Sequence, residues 1–260
     1  MLHYTALWRH RDLLRSLTVR DLRARFIGSA AGLAWAVIQP LLLILGYLFL
    51  FDVVFGIRLP PEVTGTERFS HFLIVGILPW FLFADGVGRG AASLVDNGSL
   101  LQKSALPLIL FPARAVFASA LAFSPIVLLA AVALHSAAAT LPLLLPWLLL
   151  QVLMMMGLAL TFAVLTAALR DVGQMLGVIL SAGMIFAPIF YPLSQVPAAF
   201  QTFLWLNPMT PFILGYQSMV LLGTPPPLAV VAGACAWTAL ALLAGALLLR
   251  RAQEDLVDWL

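Results

Sequence analysis

The chain has 260 residues, 63% of them hydrophobic and only 10% charged, and its mean hydropathy is +1.05. So little charge cannot cover a water-soluble fold, whereas a bilayer-embedded chain must avoid it, because an ionised side chain at mid-membrane costs about 2.5–3.5 kcal/mol on insertion scales. The net charge of +3 is therefore no nucleic-acid signature, and the single cysteine, Cys235, excludes an internal disulfide or a multi-cysteine metal site.

Residues 5–26 read as an amphipathic helix, with Ala6, His10, Leu13, Leu14 and Leu17 on one face. Val19, Leu22 and Phe26 make a second stripe, out of phase with the first, which places a bend near Thr18. Arginines 9, 11, 15, 20, 23 and 25 fill most of the remaining arc. Such a segment suits the plane of an anionic leaflet; a solvated cytoplasmic helix is the competing reading. No cleavable signal peptide is expected, because the apolar run that follows is too long for one.

Three stretches lack Asp, Glu, Lys and Arg altogether: 26–51, 115–169 and 172–249, the last 78 residues long. With about 20 apolar residues per crossing, the pattern predicts an all-α polytopic membrane protein with six transmembrane helices at 33–55, 70–92, 111–134, 146–168, 173–191 and 228–249. Placing both termini in the cytoplasm puts twelve of the fourteen Lys and Arg residues there, leaving only Arg58 and Arg68 outside. Cys235 falls in the last span and reads as a small packing residue.

The connections differ in character. The external segment 56–69 is short, and 93–110 is polar and cytoplasmic. Segment 135–145 is again short, and spans four and five are joined by little more than Arg170-Asp171. The 36 residues 192–227 are uncharged, proline-rich and carry Phe200, Phe203, Leu204 and Trp205. An exposed loop would not be so apolar. Two short re-entrant helices shielded by protein fit it; an apolar loop lying against the headgroups is the alternative.

Little here could carry out catalysis. His3, His10, His71 and His135 are scattered, and no paired intramembrane carboxylates occur. GSLLQKS (98–104) lacks the glycine that a phosphate-cradling loop needs before its lysine, and it follows no strand. Asp85 and Arg89 stand four apart on span two and can pair. A structural ion pair facing a polar crevice is preferred over a proton or substrate relay. Aromatic side chains cluster at Tyr47, Phe49, Phe51 and Phe55, at Trp80, Phe81 and Phe83, and at Phe186, Phe190 and Tyr191. Such rings could line a passage for sugars, whose C–H faces stack on them; lipid-facing or packing aromatics are the other reading.

The segments DLRARFIGSAAGLAWAVIQPLLLILGYLFLFDVVFG (21–56), FLIVGILPWFLFADGV (72–87) and SLVDNGSLLQKSALPLILFPAR (93–114) resemble the membrane subunits of ABC-2 type polysaccharide exporters. AALRDVGQMLGVILSAGMIFAPIFYPL (167–193) and WLNPMTPF (205–212) continue the resemblance in the same order. It implies a permease for lipid-linked O-antigen, capsular polysaccharide or teichoic acid in the bacterial cytoplasmic (inner) membrane, working as a homodimer with two copies of a separate cytoplasmic ATPase. ATP and Mg would bind that partner, leaving no cofactor in this chain and no metal site. On the family's pattern, 1–28 is the cytoplasmic interfacial helix and 93–106 the coupling helix, with Asp96, Asn97 and Lys103 at the ATPase and Arg170 and Asp171 at the same face. Residues 196–222 would form the outer gate helices, with Pro188, Trp205, Asn207 and Pro208 as gate residues, and 250–260 the cytoplasmic tail. Tyr47, Phe51, Trp80, Phe81, Phe83, Phe186, Phe190 and Tyr191 would lie along the substrate pathway. Lipid, drug or haem exporters of the same type are a second possibility, disfavoured by the 14-residue segment 56–69, since those more often carry a large external domain there. A non-transporting membrane scaffold is the alternative from another class.

Overall fold

The structure, a computed structural model, describes residues 2–25, 32–103 and 106–252. The Phe26–Ser29 step, positions 104–105 of the expected coupling segment and the tail beyond Ala252 lie outside the described residues. Within them the fold is helical, and the only β-type pairing is a single bridge between Arg58 and Arg68.

Two amphipathic helices open the chain, α1 (Leu2–Arg9) and α2 (Arg11–Ala24). The break between them falls at His10, not at the expected Thr18. Thr18 is buried, and its hydroxyl donates to the Leu14 carbonyl at 2.8 Å, so the backbone there stays helical and the phase slip is absorbed without a bend. Helix α2 packs against α7 (Leu110–Leu134), while α1 reaches α12 (Leu228–Ala252), where the Tyr4 hydroxyl donates to the Leu242 carbonyl at 2.9 Å. Burial pushes the Tyr4 pKa up to about 12, keeping that donor protonated.

Among the described residues four helices are long and apolar enough to cross a membrane: α5 (Phe69–Ala92), α7, the stretch Ala138–Ala168 containing α8 (Leu141–Ala168), and α12. The two other expected spans take different forms. Span one is composite: a 3-10 turn at Gly32–Ala34, α3 (Trp35–Leu48) and a π-helical turn at Phe49–Val54. In span five the helix α9 covers only Asp171–Gly183 and stops well short of Tyr191. Pro188 and Pro192 lack the N–H a continuing helix needs and disfavour helical backbone just before them. The carbonyls thus released are taken up by side chains: Asn207 donates to Gly183 at 2.8 Å, Gln217 to Pro188 at 2.8 Å and Tyr191 to Ile185 at 2.9 Å.

Helix α5 is the centre of the bundle, with sixteen of its 24 residues buried against α7, α8 and α11 (Met209–Gln217). Helix α12 packs on the far side of α8, through a stripe of small residues. A Cβ on Gly157 of α8 would lie 2.3 Å from the Ala241 backbone, so the two helices meet main chain to main chain. Cys235 is exposed because it falls off the Ala234–Thr238–Ala241–Gly245 stripe that α12 buries.

The proline-rich connection folds into α10 (Ala198–Leu204) and α11 (Met209–Gln217), the latter extended by a π-helical turn at Ser218–Leu222. Met209, Phe212, Ile213 and Tyr216 of α11 are fully buried, whereas Phe200 and Phe203 of α10 are exposed. Inside the bundle the Gln151 amide donates to the Pro79 carbonyl at 2.9 Å and accepts from the Tyr216 hydroxyl at 3.0 Å. The end of the π-turn is held from two sides: the Ser136 amide donates to Val220 and the Thr140 hydroxyl to Met219. From a third side comes the segment 56–69, whose short helix α4 (Pro61–Thr64) ends at Gly65 with φ +74°. A Cβ there would sit 2.3 Å from the Leu221 carbonyl oxygen, so only glycine fits.

Gly157→Leu should force α8 and α12 apart and lower the stability of the detergent-purified protein by roughly 1–3 kcal/mol. A thermal melt unchanged from the native chain would contradict the close approach.

Candidate functional site

The most polar feature within the bundle is an ion network where α2, α5 and α7 meet. Arg25, at the C-terminal end of α2, has a side chain only 5% exposed. Its guanidinium donates to Asp85 at 2.9 Å, to Asp21 at 3.3 Å, to the Ser119 hydroxyl at 3.1 Å and to the Ala115 carbonyl at 3.3 Å. Ser119 donates in turn to Asp85. Arg89 donates through Nε to the other Asp85 oxygen at 2.9 Å, on the same helix face as the i, i+4 spacing requires. Arg114 flanks the network, 4.0 Å from Asp21 and over the ring of Phe111. Sequence reasoning found the Asp85–Arg89 pair but missed Arg25, which lies 60 residues from Asp85 along the chain. The available signal was the depth of Asp85 in an apolar span, which calls for a countercharge closer than a snorkelling arginine supplies.

Beside this network opens a cleft of about 500 Å³ between α3, α5 and α7, walled by Arg25, Asp85 and Arg89 and by Trp35, Phe81 and Phe123. A second cleft of about 360 Å³ is almost wholly apolar and is lined by Trp80, Phe83, Phe186, Phe203 and Trp237. Its one amide, Asn207, is already engaged with Gly183 and with the Met209 N–H.

The aromatic residues singled out from sequence thus separate into groups. Tyr47, Phe51 and Phe190 form one cluster with Phe55 and Phe69, ring centroids 4.7–6.3 Å apart. Trp80 and Phe83, 5.3 Å apart, are buried at the apolar cleft, where Phe186 meets Phe203 at 6.2 Å. Phe81 faces the charged cleft instead, and Tyr191 folds back on Ile185. Pro188 is buried; the Trp205 carbonyl accepts from Trp237 at 3.1 Å; Pro208 begins α11.

In the polar segment after α5, a 3-10 turn at Val95–Asn97 leads into α6 (Gly98–Leu101). Leu94 and Leu101 are buried and anchor it, while Ser93 and Asn97 tie its start, the Asn97 amide donating to the Ser93 carbonyl at 2.7 Å. Asp96 and Lys103 are exposed, as are Arg170 and Asp171 at the α8–α9 junction, and none of the four is ion-paired among the described residues. The described residues hold no group of three His, Cys, Asp or Glu able to hold a metal ion.

A helical bundle with several membrane-length apolar helices, a buried ion network and charged connections left open defines a polytopic membrane protein. The chain belongs to the ABC-2 type transporter family, whose sequence pattern matches residues 12–221. It is 31% identical over 219 residues to the O-antigen export system permease protein RfbA of Myxococcus xanthus, covering 82% of each chain. A Klebsiella pneumoniae protein of the same name is 27% identical over 218 residues, again covering 82% of each. The polysialic acid transport protein KpsM of Escherichia coli is 24% identical over 202 residues, covering 75% of this chain and 76% of its own.

Replacing Arg25 by Gln should remove the buried cation that Asp85 and Asp21 share, leaving Asp85 only Arg89 and Ser119, and lower stability by about 2–4 kcal/mol. Arg89→Gln, at a half-exposed position, should cost less than about 1 kcal/mol. Thermal unfolding of the two purified variants compares them directly, and equal losses would contradict the hierarchy.

Proposed function

We propose that this chain is the membrane-spanning permease subunit of an ATP-driven exporter that moves a lipid-linked polysaccharide, O-antigen or capsular in type, across the bacterial cytoplasmic membrane. The observation that carries this reading is similarity over four-fifths of both chains to O-antigen export permeases, joined by similarity to a polysialic acid transport protein. The protein works as a homodimer with two copies of a separate ATPase, which supplies the nucleotide and its Mg. Six crossings with both termini cytoplasmic accord with twelve of fourteen Lys and Arg residues on one side.

The exposed charges of Asp96, Lys103, Arg170 and Asp171, none of them ion-paired among the described residues, support a docking face for that ATPase. On this reading residues 93–106 act as the coupling helix. Anchored by buried Leu94 and Leu101, the segment continues directly from α5, so a push on it reaches the central helix of the bundle. Helices α3 and α9 pack mainly on α5 with α7 or α8 and turn Leu42, Leu45 and Phe49 or Met175 and Val178 outward, which supports pairing with a second copy along those faces. The polysaccharide then passes between the two copies, past the aromatic clusters, under gate helices formed by 196–222.

With the partner ATPase co-expressed, Lys103→Glu and Asn97→Trp should lower permease-stimulated ATP hydrolysis and polysaccharide export several-fold while membrane insertion stays at the native level. Undiminished export by both variants would refute the coupling role. Export from proteoliposomes with no ATPase present would refute the reading as a whole.

A further inference from the structure

The cleft between α3, α5 and α7 is graded from one end to the other. At one end stand Arg25, Asp85, Arg89 and Gln39; at the other, one or two helical turns along each wall, stand Leu43, Phe81 and Phe123. From Arg89 to Phe81 is eight residues, so the gradient runs about 12 Å along α5. Its volume of about 500 Å³ falls in the range of sites that hold small molecules, about 300–1,000 Å³.

The charges at the polar end are unequally spent. Asp85 receives hydrogen bonds from Arg25, Arg89 and Ser119, and every bond of Arg25 is directed into the protein. Arg89 uses only Nε; among the described residues nothing accepts from its two terminal nitrogens, and its side chain is 50% exposed. Across the network three guanidiniums, Arg25, Arg89 and Arg114, meet two carboxylates, Asp21 and Asp85, which leaves one excess positive charge; Arg89 presents it at the cleft as a planar fork whose geometry suits a phosphate group.

We propose that this cleft binds a phosphorylated lipid, its phosphate held by the free nitrogens of Arg89 and the first part of its chain lying along Phe81, Leu43 and Phe123. The Arg25–Asp85 bond fixes Asp85, and Asp85 in turn holds the Arg89 fork facing the opening. The assignment rests on the permease reading and gives it a head-group recognition point where the lipid end of a lipid-linked polysaccharide is met. The phosphate could belong to an isoprenoid diphosphate or to a membrane phospholipid, and the two are separable by experiment.

Binding to the detergent-purified full-length protein, measured calorimetrically, uses farnesyl diphosphate, farnesol, inorganic diphosphate and short-chain phosphatidylglycerol as probes. Saturable binding of farnesyl diphosphate, with farnesol and inorganic diphosphate each weaker by about tenfold or more, is expected. Arg89→Gln should weaken it by about tenfold. Ala84→Trp, which fills the cleft and keeps every charge, should weaken it comparably, and Arg250→Gln should leave it unchanged. Phosphatidylglycerol displacing farnesyl diphosphate at equal concentration assigns the cleft to membrane phospholipid; failure to displace assigns it to the isoprenoid carrier. Inorganic diphosphate binding as tightly as the lipid, or indifference to both Arg89→Gln and Ala84→Trp, overturns the inference. Polysaccharide export by a protein that binds neither lipid overturns it too and leaves the permease reading standing, whereas lipid binding without ATPase-driven export overturns that reading instead.

Discussion

A guanidinium that is 95% withdrawn from solvent, within a chain this poor in charge, governs how the rest of the bundle is arranged. Desolvating Arg25 is tolerable only because each of its donors finds an acceptor, and two of those acceptors are carboxylates on different helices. The bond network therefore fastens α2 to α5 and α7 at one defined height. Breaking it leaves a buried charge unsatisfied, so the amphipathic start of the chain is not free to drift over the bundle. It also explains why Asp85 is accommodated one turn deeper than Arg89: its second oxygen has its own cation.

Much of this architecture is legible in the residues. Charge-free runs announce membrane-length helices, and four emerge as continuous segments near the expected positions. The apolar, uncharged stretch 192–227 holds two short helices, α11 buried and α10 with Phe200 and Phe203 exposed, a difference its composition does not announce. Interruptions were harder to read. Hydropathy is indifferent to whether an apolar run is one helix, so the π-helical turn at Phe49–Val54 and the stop at Gly183 escape it, although Pro188 marks the second. Pairing across the chain was harder still. An i, i+4 rule finds Arg89 for Asp85, but nothing local connects position 25 with position 85. The aromatic residues show the same limit, since one helix face sends Phe81 to the charged cleft while its neighbours Trp80 and Phe83 turn to an apolar one.

The two clefts differ in chemistry. One is amphiphilic and sits against the ion network; the other is dry, its only amide already capping the end of α9. That cap, with Gln217 on Pro188, supplies donors to carbonyls where the backbone turns irregular among apolar helices. The same bonds join the end of α9 to α11, so a displacement of either is felt by the other.

The π-turn at Ser218–Leu222 is gripped by Gly65 against Leu221, by the Ser136 amide and by the Thr140 hydroxyl. Two connections that look like spare surface are thus clasps on a buried helix end. An epitope tag or cysteine reporter spliced near 65 or 136 for mapping sidedness would loosen that clasp as well as mark a loop. Ala198, exposed and outside the grip, is a safer place for such a reporter.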